Sequence, residues 1–363
     1  MKIALVHDYL FEQGGAENVV EVFAHMFPDA PIYTAIYAPD TVSETFRHRD
    51  VRTSFLQRLT TDKRRAKALL PLYPHAFRRL KVRGYDVVLS SASSFAKGID
   101  VGDAWHVCYC HTPPRFLWQT DRYIEQQRAP GARVAVQLAT GILRARDRRD
   151  ADNVHLYIAN SRVTQERIRR MYQRDAYVIH PPIDVGTFHV ADAIAPSFLV
   201  VSRLLAYKRI DIVIEACNRL ALPLEIIGDG PDRARLEVLA GPTVTMRGRL
   251  PRAEVLRCLA RCRALIMPGE EDFGLTPLEA NASGRPVIAY RGGGALETVV
   301  EGQTGWFFDE QRADSLIPVL QRAAQENPFA PQALHAHALR FDVAVFRSAI
   351  RQVLQAPIQH AAA

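Results

Sequence analysis

Short runs of β-branched and aromatic residues recur along the chain, separated by stretches whose apolar residues stand three and four positions apart. The runs predict strands at Lys2–His7, Ile32–Tyr37, Asp86–Ser90, His106–Cys110, Leu156–Asn160 and Tyr177–His180. A second series follows at Phe198–Ser202, Leu224–Ile227, Val244–Arg247, Ala264–Met267, Pro286–Ala289 and Trp306–Phe308. The intervening stretches read as amphipathic helices, for example through Val19, Val20, Phe23 and Met26–Phe27. Strand–helix alternation argues for an α/β protein with parallel sheets covered on both faces. Between the two series stands His180-Pro181-Pro182-Ile183-Asp184, where consecutive prolines end a strand and stiffen a connection. A last helix, Val343–Leu354, has no strand after it. The pattern predicts two Rossmann-like halves facing each other across a cleft, with ligands at the carboxyl ends of the strands.

Length agrees with this division, since 363 residues exceed one comfortable core. Hydrophobic content of 48% with 23% charged residues excludes a disordered chain. The N-terminus begins directly as a strand and lacks the parts of a signal peptide. The most apolar candidate span, Val134 to Leu143, is interrupted by Gln137 and is too short for a bilayer. These features predict a cytoplasmic protein, peripheral on the membrane if it meets one. Five cysteines at irregular spacing suggest buried structural thiols, because Cys108 and Cys110 share one strand face and His111 the other. No metal site is predicted.

The charge is unevenly placed. The chain carries a net +7, yet Arg52, Arg58, Lys63, Arg64, Arg65, Lys67, Arg78, Arg79, Lys81 and Arg83 face only Asp62 within the stretch 52–83. Phe55, Leu56, Leu59, Leu69, Leu70, Leu72, Tyr73, Phe77 and Leu80 are interleaved with them. Such a mixture suits an anionic membrane surface. Nucleic acid is the rival partner, but no nucleic-acid-binding motif accompanies the patch. A solvated basic face is the plainer alternative.

Candidate chemistry lies at strand ends. Gly14-Gly15-Ala16-Glu17 opens the first helix, where glycines admit a ligand to the backbone and free amides favour an anion. Ser202-Arg203 ends the first strand of the second half, and Lys208-Arg209 follows, a fork of donors and a point charge suited to a diphosphate. Gly228-Asp229-Gly230-Pro231 and Arg247-Gly248-Arg249-Leu250 are either tight turns or a close-approach wall for a nucleotide, with backbone groups near Gly248 open to a base. The fullest constellation is Glu271-Asp272-Phe273-Gly274-Leu275-Thr276-Pro277-Leu278-Glu279. A helix is predicted from about Thr276, with its N-terminal turn at Phe273, Gly274 and Leu275 open to phosphate and Glu279 one turn in. Glu271 and Glu279 can grip the hydroxyls of two sugars on either side of a diphosphate.

In these motifs the chain resembles the family 4 retaining glycosyltransferases of GT-B fold. Gly14-Gly15-Ala16-Glu17, the His111 segment, Arg203 with Lys208, Gly228–Gly230 and the E-x7-E pair carry the likeness. Val6-His7-Asp8, Cys108-Tyr109-Cys110-His111-Thr112-Pro113, Tyr207-Lys208-Arg209-Ile210-Asp211 and Pro268-Gly269-Glu270-Glu271-Asp272-Phe273-Gly274 make it similar to bacterial mannosyltransferases of O-antigen and exopolysaccharide assembly. The resemblance implies an acceptor domain at 1–183, a nucleotide-sugar domain at 184–340, and a C-terminal segment 341–363 returning to the first. It further implies Gly15 at the donor phosphates, His111 at the transferred sugar, and Arg203 with Lys208 at the diphosphate. Glu271 falls to sugar hydroxyls and Glu279 to ribose. It implies transfer with retention onto a lipid-linked glycan, with neither metal nor cofactor, the nucleotide sugar being a co-substrate. Mannose from GDP-mannose is the expected donor, with a UDP-sugar as alternative. A sugar-nucleotide epimerase shares the architecture but needs acid–base residues around the sugar that these motifs do not supply. A non-catalytic subunit fits poorly with the complete set of site residues, and a dehydrogenase lacks its G-x-G-x-x-G loop.

Overall fold

The computed structural model describes residues 1–118, 130–191 and 193–361, with the side chains of residues 63, 64, 67, 130–139 and 356–361 outside that description. The chain divides into two compact units, Met1–His180 and Pro181–Ala363.

The first unit holds seven strands: β1 Ile3–His7, β2 Ile32–Thr34, β3 Val51–Thr53, β4 Val87–Ala92, β5 Trp105–Cys110, β6 Leu156–Ala159 and β7 Ala176–Val178. They form one sheet in the order β3-β2-β1-β4-β5-β6-β7, and every pairing is parallel. The second unit holds β8 Phe198–Val201, β9 Leu224–Ile227, β10 Val244–Gly248, β11 Leu265–Met267, β12 Val287–Tyr290 and β13 Gly305–Phe308. Their order is β10-β9-β8-β11-β12-β13, again wholly parallel. Every residue of β1 and β4 is buried, as expected of central strands with helices on both faces. In each unit the first strand lies beside the fourth, the doubly wound arrangement whose strand order reverses at that point.

Twelve of these strands lie where the apolar runs predict them, within a few residues. The thirteenth, β3, was not predicted. It is a three-residue edge strand paired only with β2, and Arg52 at its centre points outward, so it shows no apolar run. The thiols of Cys108, Cys110, Cys217 and Cys262 are buried, with Cys258 partly so. Burial pushes the Cys108 thiol up to about 12, which suits an inert core residue. The last helix runs Val343–Ala361, and its start is tied to Ile183 through the Val343 amide and the Ile183 carbonyl at 3.1 Å. No helix among the described residues is long and apolar enough to cross a membrane.

The basic stretch needs correction on two counts. Its interleaved apolar residues mostly belong to the core: Leu56, Tyr73 and Phe77 are buried, and Phe55, Leu69, Leu70 and Leu80 pack against them. Leu59 and Leu72 are the large apolar side chains it exposes among those described. Two of its cations also have anions from outside the stretch, Arg52 with Asp50 at 2.7 Å and Arg83 with Asp100 at 2.6 Å. Arg58, Arg65, Arg78, Arg79 and Lys81 are exposed, while the side chains of Lys63, Arg64 and Lys67 lie outside the described residues.

Candidate active site

Apart from Gly248, at the end of the edge strand β10, the candidate residues gather at the two reversal points, because loops leaving neighbouring strands there part to opposite faces of the sheet. In the first unit these are the loops after β1 and β4, joined by the end of β5. In the second they are the loops after β8 and β11.

In the first unit, Gly14 caps the helix Gly15–Met26 with its backbone extended. A Cβ built on Gly14 would stand 2.9 Å from Glu17 Oε2, so the missing side chain makes room for that carboxylate. Glu17 is buried and turned to His7, with 3.6 Å between its Oε1 and His7 Nε2. Strand register sets His7 beside Ser91, and His7 Nδ1 lies 3.0 Å from the Ser91 carbonyl oxygen. Ser91 Oγ lies 2.8 Å from Nε2 of His111, whose amide bonds the Ala92 carbonyl just beyond the end of β5. Burial first, and the neighbouring His7 second, lower the His111 pKa to about 3, so its ring is neutral. Burial also opposes charge on His7, but Glu17, Asp8 and the Ser91 carbonyl together outweigh it and leave its pKa raised. Asp8 folds the loop after β4 inward, accepting from the amides of Ser93 at 2.6 Å and Ala96 at 2.8 Å.

In the second unit, Arg203 follows β8, is exposed, and has no side-chain partner among the described residues. Lys208 ends a single 3-10 turn, Ala206–Lys208, and its Nζ bonds Oε1 of Glu271 in the loop after β11. Gly269 permits this pairing: a Cβ there would come within 2.9 Å of the Lys208 Cα, so only glycine lets the two loops lie so close. The loop after β12 packs still more tightly. Gly294 donates its amide to the Glu271 carbonyl at 2.8 Å, and a Cβ on it would meet the Phe273 backbone at 2.2 Å. Glu271 is thus held by its side chain on one flank and its carbonyl on the other.

Phe273 is buried, its ring 6.0 Å from that of Phe341, and anchors this loop to the core. Gly274 caps the helix Leu275–Ala282, with Leu275 and Thr276 half-buried in its first turn. Glu279, one turn in, accepts from Arg252 Nη2 at 2.9 Å. Arg252 also lies over the Phe188 ring, 5.3 Å from its centroid. Gly248 ends β10, and its carbonyl already accepts from the Gly228 amide at 2.8 Å. The predicted residues therefore form two groups, Gly14, Gly15 and His111 in one unit and the remainder in the other. Sequence reasoning assigned no role to His7, Ser91, Arg252, Gly269 or Gly294. The run Gly292-Gly293-Gly294 after a strand was the one visible signal of the tight packing.

Two parallel sheets, each with polar and charged side chains gathered at the reversal of its strand order, define a nucleotide-binding architecture of GT-B type. Residues 13–187 match the family described as Glycosyltransferase Family 4, and residues 191–334 the one described as Glycosyl transferases group 1. The chain belongs to the family 4 glycosyltransferases. It is 35% identical over 119 residues to a GDP-mannose-dependent alpha-mannosyltransferase of Mycolicibacterium smegmatis, covering 32% of each chain. It is 31% identical over 189 residues to that organism's GDP-mannose-dependent alpha-(1-6)-phosphatidylinositol monomannoside mannosyltransferase, covering 43% of this chain and 49% of that protein. The chain thus spans about 32% to 49% of the length of these curated relatives. The crystal structure of Anabaena Alr3699/HepE in complex with UDP shares the fold, with a TM-score of 0.70 at 18% identity over 98% of this chain and 100% of that one.

Proposed function

We propose that this protein is a retaining glycosyltransferase that moves mannose from GDP-mannose to a lipid-linked oligosaccharide in bacterial surface polysaccharide synthesis. The observation that carries the reading is the pairing of Lys208 with Glu271, with the exposed Arg203 side chain, which has no partner among the described residues, at the same reversal point. Two cations and a carboxylate at one reversal point suit a leaving diphosphate and the hydroxyls of the sugar attached to it. Glu279 would take the ribose hydroxyls, and His111 would meet a sugar hydroxyl. Mannose is supported by the two relatives named as GDP-mannose-dependent. The UDP bound to the structural neighbour favours a second reading, a UDP-sugar donor.

Thermal shift and donor hydrolysis across GDP- and UDP-sugars test both readings. GDP-mannose should raise the melting temperature and be turned over, and a response confined to UDP-sugars would replace the first reading by the second. Turnover should persist in excess EDTA, because Arg203 and Lys208 supply the positive charge that a divalent ion would otherwise bring. Complete loss, restored by magnesium or manganese, would contradict that assignment.

The membrane part of the proposal rests on the exposed cations Arg58, Arg65, Arg78, Arg79 and Lys81. Each contributes on the order of 1 kcal/mol near an anionic surface. Sedimentation with liposomes should rise with anionic lipid and fall with salt, since screening acts within about 10 Å at moderate ionic strength. Arg58→Gln, Arg65→Gln, Arg78→Gln and Arg79→Gln together should abolish most of the binding. Binding indifferent to lipid charge would leave a solvated face.

A further inference from the structure

His111 belongs to a buried chain of four side chains, Glu17–His7–Ser91–His111. Proton bookkeeping along it favours one solution, the one that gives the buried Ser91 hydroxyl proton an acceptor. The Ser91 backbone carbonyl only accepts, so its 3.0 Å contact requires a proton on His7 Nδ1. That nitrogen then has no lone pair to offer Ser91 Oγ, which lies 3.2 Å from it. The hydroxyl proton of Ser91 is left for Nε2 of His111, 2.8 Å away. The opposite assignment would set a bare His7 Nδ1 against a carbonyl oxygen, two lone pairs in a buried contact.

We infer that His7 and Ser91 are positioning residues that lock His111 as the tautomer with its proton on Nδ1. The ring therefore meets substrate as a hydrogen-bond donor and not as a base. Its Nδ1 has no protein partner among the described residues, so the donor is available. Nothing else on the ring competes: Nε2 is occupied by Ser91, and burial keeps the imidazole neutral. Such a donor can bind a sugar hydroxyl or share charge with a departing oxygen. It cannot take a proton from the acceptor hydroxyl, so that proton must leave by another group, the departing phosphate oxygen being the one the reaction itself supplies.

The donor role rests on the glycosyl-transfer reading, whereas the tautomer does not. Long-range proton–nitrogen spectra of the full chain labelled with 15N-histidine, recorded near pH 7 without donor, decide it. His111 is assigned by loss of its signals in His111→Gln. The expected pattern is a protonated Nδ1 and a bare Nε2. In Ser91→Ala the two nitrogens should move toward a mixture of tautomers, and kcat should fall about tenfold, the worth of one hydrogen bond. Ser91→Thr keeps the hydroxyl and should restore both. A wild-type ring protonated on Nε2, or a tautomer unmoved by Ser91→Ala, would overturn the inference. The wild-type spectrum needs no variant to fold, and failure of the transferase reading would appear in the donor assays alone.

Discussion

Replacing Lys208 with alanine is expected to lower turnover a hundredfold or more at saturating donor, and replacing Arg203 to do much the same. Loss of one electrostatic group that faces developing charge costs other enzymes about that factor, close to 2.7 kcal/mol of barrier. The resting structure explains why the fold should survive. The Arg203 side chain is exposed and has no partner among the described residues, so its removal leaves no orphan. The Lys208 and Glu271 side chains retain 15% and 20% of their exposure, enough for water to solvate Glu271 once Lys208 is gone. Glu271→Gln tests the pair from the other side, since it frees Lys208 from its resting partner while removing a grip on sugar hydroxyls. Turnover should fall again, now with the lysine intact. Thermal melts run beside the kinetics separate lost chemistry from lost fold. Wild-type rates in both Lys208→Ala and Arg203→Ala would move the diphosphate elsewhere.

How much of this could be read in the sequence follows from how local each feature is. The buried central strands announce themselves as apolar runs, and the edge strands β7 and β10 keep enough apolar residues to be found, whereas β3 sets the charged Arg52 between Val51 and Thr53 and shows none. Arg203, Lys208, Glu271 and Glu279 were legible because each sits within a few residues of a strand end or helix start. His7 and Ser91 are 84 residues apart and meet only through strand register, which no spacing rule gives. Arg252 reaches Glu279 across 27 residues because the helices Arg252–Arg261 and Leu275–Ala282 pack together, which spacing does not show either. The basic stretch was misread where composition stood in for position. Leu56, Tyr73 and Phe77 alternate with cations in the sequence, yet the short helical turns there carry them inward and leave the charges outside.

The largest stability effect should come from a residue far from any motif. Asp147, on the helix Pro130–Asp152, is wholly buried and ion-paired with Lys97, itself buried. Its second oxygen accepts from Trp118 Nε1 at 2.9 Å and from Tyr172 hydroxyl at 2.7 Å. Lys97 also donates to the Ser94 carbonyl at 2.9 Å and lies 5.2 Å from the centre of the Tyr172 ring. Burial alone would drive the lysine toward neutrality, but Asp147 outweighs it and leaves its pKa raised. One carboxylate thus joins three segments to the loop after β4, the same loop that Asp8 holds from the other end and that follows Ser91. Asp147→Ala strands the Lys97 charge and should cost about 3–5 kcal/mol. Lys97→Met with Asp147→Leu removes both charges and should recover most of that loss, because the dehydration cost disappears with them. Urea unfolding read by tryptophan fluorescence in a Trp306→Phe background reports on this unit, leaving Trp105 and Trp118 as probes. A single-variant loss under 1 kcal/mol, or a double variant no more stable than Asp147→Ala, would mean that the pair does not hold the unit together.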